Sequence, residues 1–213
     1  PAPILMALLL NEVRHSALKR SVQTIVYLPH FVSWVVISGM VVNLLSPAGG
    51  LVNQILRAMG RDSVNFIIST RHFRGVLVVS EIWKECGWGT IIYLAAISGI
   101  DPSLYEAAIV DGANRRQQVF YITIPSILST IVVVLILRMG SILSNGFEQI
   151  YLLYSPAVYD VADVFETFTY RVGLLEGRFG YSTAVGLFQS AVGLAMIFTT
   201  NRIARGLGES GLW

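Results

Sequence analysis

The chain has 213 residues, 54% of them hydrophobic and only 13% charged, with a formal net charge of +2. A soluble domain carries about 25% charged residues, so the composition argues for a bilayer. It excludes a nucleic-acid surface, for which the charge is too small, and with Cys86 as its one cysteine the chain cannot form an internal disulfide. His15, His30 and His72 are scattered without ligand spacing, so no metal site is expected. No phosphate-cradling G-x-x-x-x-G-K-S/T loop occurs, and any nucleotide energy must therefore come from a partner.

In chain order, residues 1–10 (PAPILMALLL) are apolar but too short to cross a membrane, and the basic Arg14, His15, Lys19 and Arg20 follow at once. A signal peptide puts its positive charges before the apolar region, so this block reads as the tail of a span whose beginning is missing. Residues 25–45, 75–100, 122–143 and 182–203 are apolar blocks, each near the ~20 residues that cross a hydrocarbon core. The expectation is an all-α membrane protein, a multi-span helical bundle forming one transmembrane domain over 1–213 with its N-terminal spans incomplete. Basic residues are almost balanced between the two sides. Those of the short segments 11–24, 101–121 and 202–213 lie close to span ends, where the positive-inside rule is strongest, which puts that side in the cytoplasm.

The two longer polar segments, 46–74 and 144–181, are more than linkers. LVNQILRAM places Leu51, Ile55, Leu56 and Met59 at helical spacing, and VADVFETFTYRVGLL does so with Val164, Phe168, Val172 and Leu175. Each predicts a short amphipathic helix, either a lid packed on the bundle or a docking surface for an external partner.

Charges inside the spans carry more information. Glu81, Lys84 and Glu85 in SEIWKECGW stand three and four residues apart, so the lysine can reach both carboxylates on one face. A charge left facing lipid costs roughly 2.5 to 3.5 kcal/mol, so this face should turn to the bundle interior or to water. It serves either as an ion-pair cluster that fixes packing or as the lining of a polar path. Arg138 and Glu148, on the next span and just beyond it, are the expected counter-charges. Trp34, Trp83, Trp88, Tyr93 and Tyr181 suit an interfacial belt. Trp34, Trp83 and Trp88 also suit a sugar-accepting path, with their apolar faces and hydrogen-bonding tips. The candidate path set is Trp34, Trp83, Lys84, Glu85, Trp88, Arg138 and Glu148. The small residues Gly87, Gly89, Ser98, Gly99, Gly140, Ser141, Gly186 and Gly193 allow close helix approach.

EAAIVDGANRRQQVFYITIP, residues 106–125, is a polar interruption between two spans. Asp101, Pro102 and Ser103 form a helix start, with a carboxylate cap and proline at the first helical position. Residues 104–111 give about two turns, some 12 Å, too short to cross a membrane, before Gly112 ends or bends the helix. Ala107, Ala108, Gly112 and Ala113 leave little side-chain bulk, so another backbone can approach. A second short stretch with Arg115 and Arg116 runs to Pro125, which sets the direction of the next span. The unit over 102–121 is a short rigid helix, a bend and a second short helix, anchored at both ends: a lever.

At these residues a resemblance becomes specific. Glu106-Ala107-Ala108, three residues, Gly112, nine residues, then Ile122-x-Ile124-Pro125 resembles the E-A-A loop of permease subunits in binding-protein-dependent ABC importers. The family pattern ends I-x-L-P, so Ile124 is a conservative departure, and Ser129 stands where many members have a second proline. PAPILMALLLNEVR, QTIVYLPHFVSWVVISG, IWKECGWGTIIYLAAISGIDPSLYEAA and RFGYSTAVGLFQS are similar to the oligosaccharide branch of that family.

The resemblance implies a type I importer permease fold in a bacterial cytoplasmic membrane, multi-pass, with six spans and both ends cytoplasmic in a full subunit. It implies a non-catalytic chain that holds no cofactor itself, with ATP and magnesium bound by two cytoplasmic ATPase subunits. Its other partners are a second related permease subunit, an extracytoplasmic solute-binding protein and membrane lipid; no nucleic acid is involved. Glu106, Ala107, Ala108, Asp111, Gly112, Ala113 and Pro125 become the ATPase-coupling residues, with Glu106 making a polar contact in the ATPase groove. Segments 46–74 and 144–181 become the receiving surface for the binding protein. The alternatives are an ion-gradient-driven secondary transporter relaying through Glu81, Glu85 and Glu148, and a membrane-embedded enzyme, for which no nucleophile or metal motif accompanies Glu81, Lys84 and Glu85.

Overall fold

The computed structural model describes residues 1–13, 15–144 and 146–206. Arg14 of the first basic cluster and the 207–213 part of the last polar segment lie outside the described residues. The fold is all-α, with no strand among those described. Helices α1 (Ala2–Glu12), α2 (Ser16–Tyr27), α3 (Trp34–Leu45), α4 (Leu51–Ala58) and α5 (Phe73–Ser98) lead into α6 (Pro102–Val110) and α7 (Arg115–Gln118). After them come α8 (Ile124–Ser126), α9 (Leu128–Ser141), α10 (Phe147–Leu153), α11 (Tyr159–Ala162), α12 (Phe165–Thr169) and α13 (Phe179–Gly206).

Two expected spans are bent. Between α2 and α3 the direction changes by 104°, so residues 25–45 are not one straight rod. Pro29 has no N–H to continue the helical ladder, and Ser33 accepts a hydrogen bond from the Val36 N–H at 3.5 Å, which starts a new helix. A 57° bend separates residues 115–126 from α9, and it falls two residues after Pro125. Taken singly, only α13 among the described helices is long and apolar enough to cross a membrane, with up to three spans if each bent pair counts as one. The 26 residues of α5 are about 39 Å long, sufficient to cross, but Glu81, Lys84 and Glu85 interrupt their apolarity.

The residues group into two compact units, and α5 and α13 each give one part to each. Among the described residues, one unit holds those within 1–30, 85–141 and 193–206, and the other those within 31–84 and 142–192. In the first, Ala7, Tyr93, Ile97 and Ile127 form a buried cluster. Tyr93 is thus a core residue and not a belt residue; its ring is 6% exposed. Helices approach closely at glycine here, as small residues permit. A Cβ on Gly87 would stand 2.0 Å from the Val26 carbonyl oxygen, and one on Gly140 2.7 Å from Ile197. Gly186, by contrast, faces open space.

In the second unit Phe73, Ile150, Leu153, Val158 and Ala162 form the core. Asn53, fully buried on α4, ties its loop together: its Nδ2 donates to the carbonyls of Leu45, Ser46 and Val64 at 2.9, 3.2 and 3.0 Å, and its Oδ1 accepts from the Val64 N–H at 2.7 Å. Gln149 donates from α10 to the Leu77 carbonyl and the Ser80 hydroxyl at 2.7 and 2.8 Å. The two long polar segments are therefore tied into the unit; the Leu51 stretch forms α4, and the Val164 stretch runs through the short α12 into a π-helical stretch at Tyr170–Leu175.

Candidate functional site

The 101–126 segment is built from local rules. Asp101 accepts from the Ser103 N–H at 2.9 Å and caps α6, whose first residue is Pro102. This hydrogen bond, together with the Ser103 side chain, holds the Asp101 carboxyl below the usual carboxylate range. The helix ends at Asp111, and Gly112 follows with φ +80°, a left-handed conformation that glycine adopts without strain. The Ala113 N–H then reaches back to the Ala108 carbonyl at 2.8 Å, closing the turn. Asn114 and Gln117 cap α7 reciprocally, at 2.8 and 3.0 Å.

What lies on α6 is more informative than its caps. None of its residues is buried, and only Tyr105 and Ala108, one turn apart, are half-buried. The Tyr105 hydroxyl bonds the Thr123 hydroxyl at 2.9 Å and ties α6 to the base of the following helix. Leu104, Ile109 and Val110 are 48%, 58% and 87% exposed. Glu106, Ala107, Asp111 and Gly112 are exposed with them, and Ala113 is half-buried. The sequence points to a small, plain surface; the structure adds a rim of bare aliphatic side chains around it. A π-helical turn at Val119–Thr123 then leads to Pro125, which is exposed. Such turns recur at functional positions, and no sequence signal marks this one beyond the proline beneath it.

The polar face of α5 comprises Glu81, Lys84, Glu85 and Trp88, at successive helical spacings. In the second unit Lys84 is 6% exposed, and its ammonium lies 5.6 Å from the centroid of the Trp34 ring. In the first unit Glu85 meets His30 at 2.9 Å, and His30 stacks on Trp88 with centroids 4.5 Å apart and planes 5° from parallel. Sequence reasoning left His30 out of the path set, because a lone histidine next to a proline carries no signal until the bent α2–α3 connection places it. Trp83, roughly 200° round the helix from Glu81, projects from another side and is half-exposed. Arg138 and Glu148 are exposed, and no ion pair joins either to the α5 face among the described residues. The structure thus brings together Trp34 with Lys84, and Glu85 with Trp88, and leaves Trp83, Arg138 and Glu148 apart. Among the described residues no group of histidine, cysteine and carboxylate side chains could hold a metal.

Comparison with known proteins gives a consistent outcome. The chain is 49% identical over its whole length to the polygalacturonan/rhamnogalacturonan transport system permease protein YteP of Bacillus subtilis (strain 168) and covers 66% of that protein. It is 46% identical to Protein LplB of the same organism, covering 67% of it. In structure it is similar to a chain from the crystal structure of a bacterial alginate ABC transporter in complex with an alginate pentasaccharide-bound periplasmic protein. That match has a TM-score of 0.97 and 47% identity, and covers all of this chain and 74% of the other. The chain therefore spans about two thirds of the length of these two curated relatives. Residues 1–208 match the family model described as the inner membrane component of binding-protein-dependent transport systems, and the chain belongs to that family.

Proposed function

We propose that this chain is the non-catalytic, membrane-spanning permease subunit of an ATP-driven importer of oligosaccharides. The observation that carries the reading is α6: a short capped helix, tethered through Tyr105, with Leu104, Ile109 and Val110 exposed around Glu106. Bare aliphatic side chains rimmed by charge mark a protein-docking surface. The occupant is an ATPase subunit, which supplies the ATP and magnesium chemistry. Its groove receives α6, the turn at Gly112 lets α7 follow, and Glu106 makes the polar contact. Closure of two ATPase subunits pushes α6, and the Tyr105–Thr123 bond passes the displacement to the helical run through Pro125 into α9.

Each unit brings its own polar and aromatic groups to translocation, Lys84 with Trp34 in one and Glu85 with His30 and Trp88 in the other, the rings offering apolar faces to sugar rings and the charged groups bonding to hydroxyls. The partners are a second related permease and an external solute-binding protein. The relatives named for polygalacturonan, rhamnogalacturonan and alginate support a carbohydrate cargo. Reconstitution in liposomes with the ATPase subunits and the binding protein tests the reading. ATP-dependent oligosaccharide uptake that Glu106→Lys strongly lowers is expected; uptake that needs an ion gradient and no ATPase subunit overturns it.

A further inference from the structure

A groove in the second unit belongs to neither set of residues above. It has a volume of about 520 Å³, inside the roughly 300–1,000 Å³ range of small-molecule sites. Aliphatic side chains form its walls, Phe165, Phe168 and Tyr181 supply aromatic surface, and Asp163 stands in the lining. The segment that carries the two phenylalanines is pinned. The Asp163 carboxylate accepts from the Thr167 hydroxyl at 2.7 Å and pairs with Arg171, which cancels its charge. Arg171 in turn lies 5.8 Å from the Phe168 centroid. Phe168 and Tyr181 meet edge to face, 6.1 Å apart at 66°. The aromatic surface is therefore organised before anything binds, which lowers the cost of binding.

A second charge, Arg178, stands against the lining residue Tyr181. It is exposed, its guanidinium lies 5.1 Å from the Tyr181 centroid, and among the described residues it is in no ion pair. A pyranose ring has an apolar C–H face that suits an aromatic platform, and a guanidinium takes a carboxylate through two parallel hydrogen bonds. A neutral sugar uses only the platform, and an acyl chain uses only the aliphatic walls. A hexuronate uses both the platform and the cation.

We propose that this groove is a subsite for an acidic oligosaccharide, seating one hexuronate ring on Phe168 and Tyr181 with its carboxylate on Arg178. The proposal rests on the oligosaccharide-import reading and deepens it, since it names the class of cargo and a contact apart from the α5 face. The test uses the permease complex in nanodiscs of deuterated lipid, with tetragalacturonate and its carboxyl-reduced counterpart as probes in saturation-transfer NMR. Ring C–H protons of tetragalacturonate should be saturated. Phe168→Ala and Arg178→Gln should each weaken its binding by about tenfold, and Arg178→Gln should also erase the preference over the reduced sugar. Phe168→Tyr, which keeps the platform, should retain binding, and Arg178→Gln changes only a surface group if Phe168→Ala fails to fold. Unchanged affinity in the variants, no acid preference in the wild type, or no saturation at all overturns the subsite. Failure of the import reading has a different signature: no ATP-driven uptake in liposomes while the variant-sensitive NMR contact persists.

Discussion

Residues 101–118 and the two long loops of the second unit are both polar insertions between apolar helices, yet they are held in opposite ways. The first is fixed by bonds between near neighbours: the Asp101 cap, the Ala113-to-Ala108 closure and the Asn114–Gln117 pair. One side-chain bond, Tyr105 to Thr123, fastens α6 to the rest. The loops are fixed by side chains reaching across sequence. Asn53 binds Val64, Gln149 binds Leu77 and Ser80, and Arg74 donates to the Val161 carbonyl at 3.0 Å. A segment stitched only to itself keeps its shape while leaving one surface bare for a partner. The loops are held instead from within, through buried polar side chains such as Asn53 and Gln149, while Leu51 and Ile55 of α4, and Met59 just after it, stay exposed.

The strongest way to break that contrast is Asn53→Ala. Three carbonyls and one N–H lose a buried partner, and an unsatisfied buried group costs about 1–3 kcal/mol. A total loss of about 3 kcal/mol is expected in thermal unfolding of the detergent-solubilised protein. A change under about 0.5 kcal/mol, typical of a surface site, would show that the loop is not held from inside. Glu106→Lys should do the reverse. It should lower ATP-driven uptake by about tenfold or more, as loss of a central interface residue does, while unfolding stays within about 0.5 kcal/mol of wild type because the side chain is exposed. Equal damage to stability and uptake would mean that α6 is part of the core. Gly112→Val is smaller. Forcing a β-branched residue to φ +80° costs about 1–2 kcal/mol. It should appear as faster amide exchange at Ala113, with protection in the second unit unchanged.

How much of this was legible in the sequence follows the same division. The α6 cap, the Gly112 turn and the helix break near Pro125 are written in residues close together, so spacing alone finds them. The stretch at Leu51 is likewise visible as α4, while the one at Val164 is helical but passes from α12 into a π-helical stretch at Tyr170–Leu175. What holds them is not. Asn53 in LVNQILRAM reads as one more polar position on a helix, and nothing local says that Val64, eleven residues on, supplies its partner. The 104° bend was hidden because LPHFVSW is apolar enough to continue a span, and hydropathy does not register the ladder broken at Pro29 or the Ser33 cap. His30 gained its meaning from that bend. Trp83 shows the converse: composition grouped it with Trp88, but five residues of helical rotation separate their directions.

Acidity should distinguish the two regions by sign. Asp101, in the self-stitched segment, has its carboxyl held low by the Ser103 N–H and side chain. A depressed carboxylate stabilises the fold at pH above its ordinary value of 3.8, and that contribution disappears as pH falls through the lower folded value. Glu166, beside the groove in the second unit, has its carboxyl raised by burial, opposed by a hydrogen bond from the Phe147 backbone. Its contribution runs the other way: it is fully present below the ordinary 4.5 and is lost as pH climbs through the raised folded value, because the ionised form must then sit in a dehydrated place. Amide exchange followed across acid pH should therefore show α6 losing protection toward the acid end while α12 gains it. Asp101→Asn should flatten the first trend, and Glu166→Gln the second. Parallel trends in both helices would mean that one cooperative unit responds to acid, and that α6 is not the separately held element its caps and bare surface describe.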